Sequence, residues 1–294
     1  MTILEHKKFF WTLALFLVSI VWGSSFLVIK NIVQSIPPES YLVLRFGIAG
    51  FILLIVVLLQ KYITKHTRPL LVIPGVFLGI LLSCVYFLST YGVEYTSASN
   101  ATLISNLFMV FTPLLGMVLL KTPLARKYIY GSILGFVGFI FISGISSLQF
   151  HVGDGIILMS ALFLALHLLL TEYYGKKYHS MQLLLTETFV VLLISIISLF
   201  FTGGLHLPAH PVTWIEILYL ALFSTVFAFG VIAMAEKQLH STQTAMIISL
   251  QGIWALLLAI SLNLEVLTIP KLIGVACMTM AIIAIEVPYR KHHI

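Results

Sequence analysis

Thr96-Ser-Ala-Ser-Asn-Ala-Thr-Leu-Ile-Ser105 and His240-Ser-Thr-Gln-Thr-Ala-Met-Ile-Ile-Ser249 carry nearly the same message half a chain apart. Each is a Ser/Thr-rich turn that runs straight into a long apolar segment. Self-similarity at about half the chain length points to a duplicated architecture. The segments on either side decide what kind of duplication it is.

A helix crossing the hydrocarbon core needs about 20 mostly apolar residues. Cutting the chain at charges, Pro and Gly gives ten candidates: 9–29, 40–60, 70–90, 98–120, 128–148, 154–173, 181–201, 214–235, 242–263 and 271–288. Barrel strands are short and alternate in polarity, and these segments do neither. The chain is 60% hydrophobic and 9% charged, where a soluble domain carries about 25% charged residues. The fold class is therefore an all-α membrane protein. The first apolar stretch is too long for a signal peptide and lacks a small-residue cleavage site, so it counts as a span.

Orientation follows from Lys and Arg in the short loops. With a cytoplasmic N-terminus, only Lys30 and Lys271 fall outside and Arg45 within a span. Lys7, Lys8, Lys61, Lys65, Arg68, Lys121, Arg126, Lys127, Lys176, Lys177, Lys237, Arg290 and Lys291 fall inside. Both termini are then cytoplasmic, in a multi-pass protein of the inner (plasma) membrane. Five spans per half, in 1–148 and 149–294, put the halves upside down relative to each other. Inverted repeats of this kind are a transporter architecture, with the solute site near mid-bilayer.

The net charge of +6 is spread over loops, with no stripe that would suit nucleic acid. Cys84 and Cys277 fall in apolar spans and read as small buried hydrophobes. His151, His206 and His210 match no zinc spacing, and no phosphate loop or hydrolase motif is present. No metal or cofactor is expected. The partners expected are a small-molecule solute and membrane lipid, with the oligomeric state open between monomer and homodimer.

The order of short motifs resembles the drug/metabolite transporter superfamily, specifically its tandem EamA-type members. Trp22-Gly23-Ser24-Ser25-Phe26, Arg45-Phe46 and Tyr95-Thr-Ser-Ala-Ser-Asn-Ala101 carry the likeness, with Pro113, Gly131, Gly135 and Gly138 after them. In the second half it runs through Gly153-Asp154, Ala161-Leu-Phe-Leu-Ala-Leu-His167, Thr225 and Ser249-Leu-Gln-Gly252. The chain departs from the family at Lys121-Thr122-Pro123, where an acidic residue is usual, and at Gln251-Gly252, where Glu-Pro is usual. The resemblance implies a ten-helix carrier working by alternating access, its cavity lined by spans 1, 3, 4, 6, 8 and 9.

Intramembrane polar groups are costly and are functional candidates by default. At 1.5 Å rise per residue, Asn106, His167 and Gln251 lie within roughly 5 Å of the midplane. They offer donors and acceptors without net charge, which suits a neutral or zwitterionic solute. The same side chains also serve as hydrogen-bond links between membrane helices. Trp22, Phe26, Tyr86, Phe87, Tyr91, Phe229 and Trp254 fall on the six cavity spans as candidate aromatic walls. Of these, Trp22, Tyr86 and Trp254 join Asn106, His167 and Gln251 in the expected solute site.

Arg45 reads as a gate or anion-binding residue, or as a side chain snorkelling to the outer headgroups; span 2 favours the structural role. Glu187 and His167 are the candidates for proton coupling, with Asp154, Glu94 and Glu286 expected in solvent and no carboxylate well buried at mid-membrane. Uniport remains beside proton antiport. Pro113 frees the carbonyl four residues earlier and should kink span 4, and Gly252 gives span 9 comparable looseness. The function expected is export of amino acids or related metabolites, with import of cationic amines as the alternative. A rival from another class is a lipid-modifying enzyme using His167 and Glu187, which the sequence places on different helices at different depths.

Overall fold

The computed structural model describes residues 3–64, 72–96, 98–119, 121, 126–143, 151–263 and 266–286. Lys65, Arg68, Arg290 and Lys291, Thr122-Pro123 and the join at 148–149 lie outside them, as do the side chains of Lys7, Arg126 and Glu286. The regular structure among the described residues is all helical, with no strand.

In chain order the helices are α1 (Ile3–Val33), α2 (Pro38–Thr64), α3 (Ile73–Glu94), α4 (Ala98–Ser105), α5 (Phe108–Leu119), α6 (Arg126–Ser143), α7 (Val152–Gly175) and α8 (Ser180–Thr202). Then come α9 (Pro211–Tyr219), a π-helical segment (Leu220–Phe227), α10 (Ala228–Ala235), α11 (Ser241–Ile248), α12 (Gln251–Ser261) and α13 (Ile269–Glu286). Seven helices or continuous helical runs are long and apolar enough to cross a membrane, and Phe108–Leu119 and Ile269–Ala281 are shorter apolar helices.

Local chemistry sets the ends. Pro74 sits in the first turn of α3, where a missing N–H costs nothing. Asp154 accepts from the backbone N–H of His151 at 2.8 Å, closing the start of α7. Gly203, with φ of 91°, ends α8 in the left-handed conformation and donates its N–H to the Leu199 carbonyl; such a φ favours glycine. Lys30 spends its ammonium on the carbonyls of Val93, Glu94 and Thr96, at 2.7, 3.0 and 2.9 Å, which helps cap the end of α3.

The two halves interleave. α3 packs on α7 and α8, α2 on α8 and the π-helical segment, α6 on α13, and α1 on α10, α11 and α12. Close approach rests on glycine at the crossings. A Cβ at Gly23 would stand 2.5 Å from the Trp254 Cβ, one at Gly79 2.6 Å from the Val190 Cβ, and one at Gly138 2.7 Å from the Gly274 carbonyl. Large apolar side chains such as Phe51, Phe200 and Phe201 point outward, while hydroxyls collect inside. That distribution fits lipid as the solvent.

The segments expected as uninterrupted spans 4 and 9 are both broken, and in the same way. Leu107 donates to the Ile104 carbonyl and Met109 to that of Asn106. Leu250 donates to Ile247 and Gly252 to Ser249. Each break is thus a tightened turn of i→i+3 bonds, a pattern that often marks a hinge.

Pro113 lies inside α5, beyond the first break. The helix runs through Pro113, and the Met109 carbonyl that proline frees accepts from the Ser132 hydroxyl of α6 at 2.9 Å. Gly252 takes part in the second break, donating its N–H to the Ser249 carbonyl.

Candidate functional site

The π-helical segment is where the site begins. Its wider turn is visible at Thr225, whose hydroxyl donates to the Leu220 carbonyl five residues back at 3.0 Å. The segment turns Ser224 and Thr225 inward and frees the Ser224 carbonyl, which accepts from the Trp22 indole at 3.2 Å. Opposite stands Arg45 of α2, 1% exposed. Its guanidinium donates to Thr225 at 2.8 Å, to Tyr86 at 3.0 Å, to Ser224 at 3.2 Å and to Tyr41. It also lies over the Tyr86 ring, 4.5 Å from the centroid. Snorkelling to the headgroups is excluded at that burial, because four hydroxyls replace the water such a side chain would seek.

These groups border a cavity of about 70 Å³, several times the ~10–15 Å³ that one water needs. Its walls are Trp22, Ser25, Phe26 and Ile29 of α1, Arg45, then Val85, Tyr86 and Ser89 of α3, and Ser105 of α4. Ser160, Ala161 and Leu164 of α7, Ser224, Phe229 and Gln251 complete it. The six spans named by the family resemblance contribute, and span 2 joins them through Arg45. Sequence reasoning passed over Ser105, Ser160 and Ser224, since serines are scattered along these spans and nothing distinguishes those that face inward.

Of the expected solute residues, Trp22, Tyr86 and Gln251 border the cavity, while Asn106, His167 and Trp254 do not. Asn106 and Gln251 bind each other across the two breaks. Gln251 donates to the Asn106 side-chain oxygen at 2.6 Å, and Asn106 donates to the Ser249 carbonyl at 3.3 Å. Trp254 instead donates to Ser19 at 3.0 Å and meets Phe16 edge-on at 5.4 Å. Phe87 and Tyr91 stack on each other away from the cavity.

The Asn106–Gln251 bridge gives a measurable coupling. Asn106→Leu and Gln251→Leu should each cost about 1–2 kcal/mol of stability. The double variant should lose clearly less than the sum, because it strands no partner. A double-mutant cycle by unfolding in detergent checks this, and strict additivity would contradict the bridge.

His167 and Glu187 form a pair, which corrects the reading that set them at different depths: Nε2 to Oε2 is 3.0 Å, and both are buried. Counted from the short connection between α7 and α8, each lies about 10–12 Å in. The pair does not border the cavity; Phe229 does, and its ring meets His167 edge-on at 5.8 Å. Asp154 is also buried and accepts from Thr96 as well as from His151, whereas Glu94 is exposed. Glu172 gathers Lys176, His240 and the Ser241 backbone N–H at 2.9, 3.1 and 2.8 Å.

Glu236 was not singled out from sequence. It sits one residue beyond the apolar run that ends at Ala235, is 1% exposed, and neither carboxyl oxygen has a hydrogen-bond partner among the described residues. Burial, reinforced by the nearby Glu172 and Glu187, pushes its carboxyl well above the ordinary 4.5.

Long apolar helices, two of them broken beside a buried cavity of aromatic rings and hydroxyls, define a multi-pass membrane transporter. The chain belongs to the EamA-like transporter family, whose model matches residues 9–144 and again 151–287. It is 28% identical over 280 residues to an uncharacterized transporter of Archaeoglobus fulgidus, covering 95% of this chain and 87% of that one. It is 25% identical to the uncharacterized transporter YyaM of Bacillus subtilis, covering 83% of each. A solved crystal structure superposes with a TM-score of 0.78 at 15% identity over 94% of this chain and 96% of that one, a likeness of fold.

Proposed function

We propose that this protein is a secondary transporter that moves a small neutral or zwitterionic metabolite by alternating access, exporting amino acids or related compounds. The observation that carries the reading is the meeting of two identically broken helices, through Asn106 and Gln251, at the edge of a cavity lined by aromatic rings and hydroxyls. A cavity between the two halves beside paired hinges is what a carrier needs to open first to one side and then to the other.

The reading includes ten spans in two inverted halves, 1–148 and 149–294, with both termini cytoplasmic in the inner membrane. Packing supports it, because contacts recur when the halves are exchanged. α3 on α7 corresponds to α10 on α1, and α4 and α5 on α7 correspond to α11 and α12 on α1. The Lys and Arg partition supports the orientation. Import of cationic amines is the weaker reading, since Arg45 sets a positive charge at the cavity wall. The buried His167–Glu187 pair lends little to a lipid-modifying enzyme, because it does not border that cavity.

Purified protein in proteoliposomes should give saturable flux of a labelled amino-acid mixture that empty vesicles lack. Turnover of vesicle lipid without solute flux would overturn the transporter.

A further inference from the structure

Arg45 is a buried cation with no anion beside it. Its partners are the hydroxyls of Thr225, Tyr41, Tyr86 and Ser224, and no carboxylate among the described residues pairs with it within 4.0 Å. Hydroxyls solvate a charge without neutralising it, and the Tyr86 ring adds only a quadrupole. An uncompensated charge out of water is costly, so it is retained where something else supplies the balance.

The geometry also leaves capacity. A guanidinium has five N–H donors, and the four hydrogen bonds leave one over. Arg45 itself borders the cavity, so a solute there meets both the free donor and the charge. The other walls combine apolar and aromatic side chains such as Ile29, Leu164, Trp22 and Phe229 with neutral polar groups, the serine hydroxyls and the Gln251 amide, and present no second cation.

We infer that Arg45 and its hydroxyl collar form the binding site for a single carboxylate of the transported solute, whose apolar body lies against Trp22 and Phe229. One positive charge balances one negative charge, which favours a monocarboxylate over a phosphate ester of higher charge. Ser224 and Tyr86 hold the guanidinium plane so that its remaining edge faces the solute. This rests on the carrier reading and deepens it: amino acids qualify through their carboxylate, and simple amines do not.

Leucine, its decarboxylated analogue isoamylamine and its deaminated analogue isocaproate separate these claims. In detergent at neutral pH, leucine and isocaproate should raise the unfolding midpoint of the wild-type protein in a saturable way, and isoamylamine should not. Arg45→Lys keeps a charge but loses the planar fork, and should weaken both ligands at least tenfold. Should that variant fail to fold, leucine methyl ester on the wild type serves instead, with no stabilisation expected. Stabilisation by isoamylamine or the ester equal to that by isocaproate would overturn the inference. So would flux of a solute without a carboxylate while leucine and isocaproate leave the midpoint unchanged. Absence of any solute flux would instead sink the carrier reading, since the midpoint shifts test the site by themselves.

Discussion

Gly23→Ala is expected to lower stability by about 1–3 kcal/mol, the usual cost of forcing an extra carbon into a packed contact, and Gly23→Leu to leave no folded protein. The added Cβ would lie 2.5 Å from the Trp254 Cβ, 2.8 Å from the Gln251 carbonyl oxygen and 3.2 Å from the Ala255 nitrogen. Two of those atoms are backbone, so relief requires moving α12 as a body. That movement would draw Trp254 from Ser19 and tilt Gln251 away from Asn106, opening the second break. The neighbouring Trp22 would shift with α1, so solute binding should weaken along with stability. Gly155→Ala is the control, since a Cβ there meets nothing within 4 Å. Unfolding temperature and monodispersity in detergent measure both. Equal behaviour of the two alanine variants would mean that α1 and α12 do not cross at Gly23.

Glu236→Gln should raise stability at neutral pH by about 1–3 kcal/mol, the scale of an unsatisfied buried polar group. The sign follows from proton binding. The folded carboxyl titrates well above 4.5 and the unfolded one near its ordinary value, so between the two the folded state holds more protons. Stability must then fall as pH rises from about 4.5 towards the folded value. Glutamine has no charge to acquire, so the two proteins should match in acid and diverge towards neutrality. The charged groups acting on Glu236 are Glu172, Glu187 and Lys176, and all remain in the variant. Parallel unfolding curves for both proteins from acid to neutral pH would show that Glu236 is hydrated or paired.

The apolar spans were legible because a membrane helix is specified by length and hydropathy, both of which are local. The site was legible only in part. Trp22, Tyr86 and Gln251 stand on spans that duplication placed near the centre, and they border the cavity. Arg45 reads from sequence as a gating candidate with a structural role favoured, because span 2 is not expected to line the cavity. Its inward turn depends on the hydroxyls of Ser224 and Thr225, about 180 residues away, presented by a π-helical turn that has no sequence signature. The partner of the carbonyl that Pro113 frees was hidden for a similar reason: the Ser132 hydroxyl belongs to another helix. Glu236 sits beside Lys237 in a turn and looks solvated until the ends of α7, α8 and α11 are assembled around it.

The uncompensated guanidinium has a consequence for the empty protein. In the proposed cycle, solvent screens Arg45 while the cavity is open to either side, but full closure without cargo removes that water and leaves the charge to the hydroxyls of Thr225, Tyr41, Tyr86 and Ser224 alone. A bound carboxylate replaces the lost hydration, so the loaded form shuts at lower cost than the empty one. On the proposed cycle the unloaded return is the slow step, and exchange of one carboxylate solute for another should outrun net flow. A single residue thereby sets the toll on travelling empty, and leakage through an unoccupied carrier is held down by electrostatics.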